Sequence, residues 1–167
     1  MRIFKEEQRF TQPWLIILMI ITALFAIVVI TTAFRKTDNT NVFGYIIPIG
    51  LILLSTGIIF IFKLKTRIDR TGIHYQFFPF HFKMKTILWD EIKHAETRTY
   101  NPLTEYGGWG LKSGGFWGKK RGTAINVKGN IGIQLILNTN KKVLIGTQKQ
   151  ADANSVIAKY LEQKDNG

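Results

Sequence analysis

Two long apolar stretches lie near the start of the chain, and most of the remainder alternates between apolar and polar positions. Residues 14–34 read WLIILMIITALFAIVVITTAF, 21 positions without a charge, in which only Thr22, Thr31 and Thr32 are polar. Residues 42–62, VFGYIIPIGLILLSTGIIFIF, are again 21 uncharged positions. At about 1.5 Å per residue each run makes a helix roughly 31 Å long, the thickness of a bilayer core. Only RKTDNTN separates them, so the spacing predicts an antiparallel hairpin of membrane-spanning helices. A cleavable signal peptide fits the first run poorly. Its apolar stretch exceeds the usual ~7–15 residues, and no small-residue cleavage site comes after it. Arg35 and Lys36 stand there instead.

Past residue 62 the hydrophobic period falls to two, the signature of half-buried strands. Leu64–Arg70 and Ile73–Phe80 alternate about a Thr71-Gly72 turn and predict a hairpin. Further strands are predicted at Phe82–Leu88, Ile92–Tyr100, Thr123–Lys128, Ile131–Leu137 and Lys142–Thr147, with Gly129-Asn130 as a turn. The end of the chain changes period again. Ala153, Val156, Ile157, Tyr160 and Leu161 fall on one helical face, and Thr147 with Gln150 has capping-box spacing. The expected fold is therefore α+β. Residues 1–13 form a tail, 14–62 the hairpin (spans 14–34 and 42–62), and 63–167 a domain of seven antiparallel strands closed by one helix.

Charge places this architecture. The 167 residues carry 23 Lys and Arg against 11 Asp and Glu, a net +12, yet mean hydropathy is +0.04. The two uncharged spans account for that combination. Arg2, Lys5 and Arg9 precede the first span; Lys63, Lys65, Arg67 and Arg70 come after the second; only Arg35 and Lys36 lie between. Basic residues near span ends stay on the cytoplasmic side, so both termini are expected there, in a multi-pass protein of the cytoplasmic membrane. Neither span holds an ionisable group, which argues against a pump or a voltage sensor. The absence of cysteine excludes disulfides, thiolate metal sites and thiol catalysis.

Seven antiparallel strands and then an amphipathic helix is the order of a pleckstrin-homology-like (PH-like) barrel or sandwich. The chain resembles bacterial PH-like domains attached to membrane-helix hairpins. Arg67-Ile68-Asp69-Arg70-Thr71-Gly72-Ile73, Ile87-Leu88-Trp89-Asp90-Glu91-Ile92 and the final helix carry the likeness. Tyr106-Gly107-Gly108-Trp109-Gly110 and Ile145-Gly146-Thr147-Gln148 resemble a branch of such membrane proteins. Eukaryotic PH domains that bind phosphoinositides use a basic loop between their first two strands. Here that connection reads as the tight Arg70-Thr71-Gly72 turn, so no phosphoinositide pocket carries over.

Candidate chemistry is confined to basic and aromatic surfaces. Lys63, Lys65, Arg67 and Arg70 form a juxtamembrane cluster that suits anionic headgroups and equally satisfies plain topology. Residues 106–122, YGGWGLKSGGFWGKKRG, hold seven glycines and two tryptophans. There Lys112, Lys119, Lys120 and Arg121 are candidate anion-binding residues, and Trp109, Phe116 and Trp117 candidate interfacial aromatics. The segment also reads as a passive loop. It matches neither a P-loop nor GxGxxG. His74, His81 and His94 lack metal-site spacing, Asp90 and Glu91 suit a turn, and no nucleophile elbow is present. The aromatic run Tyr75, Phe77, Phe78, Phe80 and Phe82 is read as core packing rather than a base-stacking platform, and no nucleic-acid partner is expected. The sequence thus points to a non-enzymatic membrane protein that needs no cofactor or metal. Its domain would meet anionic lipid headgroups or a protein partner; the alternative is a scaffold that self-associates.

Overall fold

The computed structural model describes residues 3–36, 42–112 and 122–165. It is α+β and divides into two compact units, residues 10–61 and residues 1–9 with 62–167.

The first unit holds two helices, α1 (Pro13–Lys36) and α2 (Val42–Gly57), the latter prolonged by a 3-10 turn, Ile58–Ile61. Both are long and apolar enough to cross a membrane. Their apolar side chains stay uncovered, with Phe25 70% and Leu54 69% exposed. A core helix of a soluble protein would bury that surface. Hydroxyls within the spans are satisfied by their own helix: Thr22 donates to the Leu18 carbonyl, Thr31 to Ile27 and Thr56 to Ile52. Such bonds need no water, which an apolar solvent cannot supply. The end of α1 packs on the start of α2, where the Phe34 and Tyr45 rings lie 5.1 Å apart.

The second unit contains a strand that the sequence reading assigns to a tail. β1 (Phe4–Arg9) pairs antiparallel with β2 (Lys63–Ile68), from Phe4↔Ile68 to Arg9↔Lys63. β3 (Gly72–Phe78) and β4 (Lys85–Leu88) complete a four-stranded antiparallel sheet. The unit is therefore not residues 63–167 alone. It includes the N-terminal strand, and the helix pair is the connection between its first two strands. The Arg70-Thr71-Gly72 turn joins the second and third.

β5 (Ile92–Thr99), a short α3 (Pro102–Tyr106), β6 (Gly110–Lys112), β7 (Thr123–Asn126), β8 (Ile131–Leu137) and β9 (Lys142–Gly146) come next. The second sheet runs β5-β8-β9-β7-β6, and β7 pairs with β9 in parallel. The expected seven-stranded, wholly antiparallel barrel or sandwich is thus corrected to nine strands in two sheets with one parallel pair, and no closed barrel forms among the described residues. Alternation reports which face a residue occupies but not strand direction, so the parallel pair left no trace in the pattern. The strand expected at Phe82–Leu88 begins only at Lys85, because residues 79–84 form a turn.

Leu64, Ile68, Ile73, Phe77, Ile92, Ile133, Leu135 and Ile145 are almost wholly buried. α4 (Gln150–Asp165) covers part of this core with Ala153, Val156, Ile157 and Tyr160, the stripe read from the sequence. Each large aliphatic or aromatic side chain buried this way contributes roughly 1.5–3 kcal/mol.

The inward face of β1 is polar, and it is riveted. Glu6 accepts from the Thr147 hydroxyl at 2.7 Å and from the Gln148 N–H at 2.9 Å, while the Gln8 amide donates to the Gly146 carbonyl at 2.7 Å. Glu6 thereby serves the approach to α4, the place the capping-box reading gives to Gln150.

Candidate functional site

Alternation along β1 and β2 sorts their charges onto one side. Phe4, Glu6 and Gln8 on β1 face inward with Leu64, Thr66 and Ile68 on β2. Their neighbours face outward in register: Lys5 opposite Arg67, Glu7 opposite Lys65, Arg9 opposite Lys63. Five cations therefore share this outer face with one carboxyl group. That carboxyl, Glu7, lies 2.9 Å from Arg9 and 3.6 Å from Lys65. The Arg9 hydrogen bond first, against desolvation, and then the charges of Lys65, Arg9 and Lys63 hold it below its ordinary value. The field on this face is positive. Lys63 also lies over the Phe78 ring, 5.5 Å from its centroid.

The structure brings together three of the four juxtamembrane residues singled out in the sequence. Arg70 is exposed in the turn at the far end of β2, roughly 20 Å along the strand from Lys63. At about 8 Å of screening length in physiological salt, Arg70 and Lys63 cannot sense the same surface charge unless the strand lies along it. Lys112 ends β6, the edge strand of the other sheet, and does not share the basic face. Lys119, Lys120, Arg121, Phe116 and Trp117 lie outside the described residues. Trp109 is half-buried and donates its indole N–H to the Gly129 carbonyl at 2.9 Å. Lys5 and Arg9 are the residues that sequence reasoning missed. The weak alternation of FKEEQR was their only signal, and its inward polar residues masked it.

The motifs behind the family resemblance meet in space, where they build structure. The Asp69 carboxyl accepts from the Thr71 N–H at 2.9 Å, lies 3.0 Å from His74 Nε2 and pairs with Arg67 at 2.7 Å. Burial pushes that carboxyl up. Hydrogen bonds from His74 and Thr71, with the positive potential of His74 and Arg67, outweigh burial and hold it at about 2. The Asp69 carbonyl takes the Trp89 indole N–H at 2.8 Å, and the Trp89 ring packs 5.6 Å from Tyr160 of α4. Gly72 sits where a Cβ would lie 2.1 Å from the Ile87 carbonyl oxygen. Glu91 accepts from the Leu88 N–H at 2.9 Å, the turn role expected of it.

A polar cavity of about 490 Å³ opens beside α3, lined in part by Glu96, Arg98, Glu105 and Lys142. Arg98 has little left to offer a ligand. Its guanidinium donates to both Glu105 carboxyl oxygens, to Gln134 Oε1 and to the Thr99 carbonyl. Beneath it the Tyr100 hydroxyl, pushed up to about 12 chiefly by burial, accepts from Asn126 at 2.6 Å. Among the described residues no three His, Asp or Glu gather to hold a metal.

The aromatic run divides. Phe77 is buried and Tyr75 and Phe78 are half-buried, but Phe80 is 61% and Phe82 80% exposed, so core packing does not account for these two. Their turn is braced. The Gln76 amide donates to the carbonyls of His81 and Phe82, the His81 N–H to the Phe77 carbonyl, and the Phe77 N–H to His81 Nδ1. Burial and the nearby Lys85 charge hold the His81 imidazole below its ordinary value, which suits that acceptor role.

No protein-family model, curated protein or solved structure matches the chain.

Proposed function

We propose that this chain is a non-catalytic integral membrane protein that holds a PH-like α+β unit at the cytoplasmic face, where the unit engages anionic lipid headgroups. The observation that carries the reading is the basic outer face of β1 and β2, because these strands lead directly into and out of the two apolar helices. Lys5, Arg9, Lys63, Lys65 and Arg67 lie there against Glu7, with Asp69 paired to Arg67 at the end of β2. Each basic residue near an anionic surface contributes about 1 kcal/mol.

Orientation rests on two supports. Seven basic residues flank the outer ends of the spans against Arg35 and Lys36 between them. The antiparallel β1–β2 pairing also suits a helix pair that crosses twice and returns the chain to the side it left. The PH-like assignment draws support from strand order. The seven expected strands correspond to β2–β5 and β7–β9, followed by the terminal helix, with β1 and β6 in addition.

The test is lysine footprinting of the full-length protein in nanodiscs, read by mass spectrometry. In discs containing phosphatidylglycerol, Lys5, Lys63 and Lys65 should be protected several-fold relative to Lys159 of α4, and high salt should remove the protection. Equal labelling in neutral and anionic discs would overturn the reading.

A further inference from the structure

The turn between β3 and β4 presents an apolar tip. Phe80, Phe82 and Met84 are all exposed, three large apolar side chains within five residues. Single exposed hydrophobes are ordinary, but a contiguous group marks a surface that meets something apolar. The tip is built rather than slack, since four hydrogen bonds brace its backbone.

Its position in the chain identifies what it meets. Phe62 directly follows Ile61, the last residue of the second apolar helical segment. The Phe62 ring lies 5.8 Å from Phe80 and 5.8 Å from Phe77, and Phe80 stacks on Phe77 at 5.9 Å. The tip is thus in ring contact with the residue at which the chain leaves the span. Phe78 and Phe82 continue the patch edge to face at 6.1 Å. Cations surround it: Lys63 over Phe78, with Lys83 exposed on the turn itself and Lys85 exposed at the start of β4. Aromatic rings flanked by lysines match the headgroup boundary of a bilayer, where rings bury their faces and ammonium groups reach phosphates.

We infer that the 79–84 turn is a second membrane contact, its Phe80 and Phe82 side chains lodged in the interfacial layer of the leaflet at which the chain leaves the span. The contact fixes the tilt of the α+β unit on the membrane, which a flexible tether alone would leave free. It rests on the membrane-protein reading but not on recognition of anionic lipid, because ring burial needs no charge.

The chain has no native cysteine, so single-cysteine variants can be labelled cleanly. A nitroxide on Phe82→Cys in full-length protein would be compared with one on Leu103→Cys, an exposed apolar control in α3. Both would be measured in neutral phosphatidylcholine nanodiscs. The label at 82 should be several-fold less accessible to a water-soluble nickel chelate and more accessible to oxygen than the label at 103. Adding Phe80→Asp should bring nickel access at 82 up to the control value, with the thermal transition of the infrared amide I band unchanged. Nickel access at 82 equal to that at 103, or spin–spin broadening that shows the tips facing one another in a dimer, would overturn the inference. Release of the whole protein from membranes by carbonate would instead overturn the membrane reading beneath it.

Discussion

Replacing Glu6 with alanine should unlock the N-terminal strand. Glu6 is buried on the inward face of β1 and holds two donors of the β9–α4 junction, the Thr147 hydroxyl and the Gln148 N–H. Thr147 is itself fully buried. Each lost hydrogen bond costs about 1 kcal/mol, and stranding a buried donor adds about 1–3 kcal/mol. The sum is roughly 3 kcal/mol, a large part of a typical ~5–15 kcal/mol stability. For a unit of this size that corresponds to a fall of roughly 10–20 °C in Tm. The assay is thermal unfolding of the full-length protein in nanodiscs, followed through the infrared amide I band of its β-sheets. Glu7→Ala is the matched control. It removes only a surface network with Arg9 and Lys65 and should change stability by less than about 1 kcal/mol. If the two variants melt together, the Glu6 bonds do not rivet β1 in place.

Further outcomes rest on the same structure. Asp69 titrates at about 2 in the folded unit against an ordinary value of 3.8. A depressed carboxyl stabilises fully above its unfolded value and loses that contribution as pH falls through its folded one, here about 2 kcal/mol at most. The gap in urea midpoint between wild type and Asp69→Asn should therefore narrow between about pH 4 and pH 2; a constant gap would refute the assignment. Gly72→Ala places a methyl against the Ile87 carbonyl and should destabilise by at least about 2 kcal/mol, measured by thermal unfolding. Trp89→Phe keeps an aromatic ring against Tyr160 but strands the Asp69 carbonyl; a loss of about 1–2 kcal/mol is expected in the same assay. Cysteines introduced at Ile3 and Leu103 should react with an impermeant maleimide from the same side of a sealed vesicle, and one at Thr37 from the opposite side.

What the sequence made legible was set by the strength of each periodic signal. The two apolar helices were plain because each lies in a run of 21 positions without a charge. β8 and the α4 stripe were recovered because Ile131, Ile133, Leu135 and Leu137 on the one, and Ala153, Val156, Ile157 and Tyr160 on the other, repeat at strand and helix spacing. β1 was hidden because two of its three inward residues are Glu6 and Gln8, whose partners lie more than 130 positions away. The basic site was half visible for the same reason: Lys63, Lys65 and Arg67 showed themselves, while Lys5 and Arg9 joined them only through a pairing that spans the whole helix pair. The aromatic run misled because alternation stops at Pro79. Beyond it the phenylalanines no longer know which side is inside, and two of them point out.

The place of the helix pair between β1 and β2 has a consequence for how the protein is made. β1 is synthesised before the helix pair, and its partner is not made until both helices are complete. Closing so long a connection in a free chain would cost several kcal/mol of entropy. A packed helix pair closes it in advance, since its axes lie about 8–10 Å apart and paired strands need about 5 Å. In the membrane protein proposed above, the sheet is completed by the act of insertion. A chain whose helices miss the bilayer keeps β2 as a bare edge, the kind of surface that aggregates or is degraded. On that proposal, assembly of the α+β unit and arrival in the membrane become one event, and a misplaced copy betrays itself by an unfinished sheet.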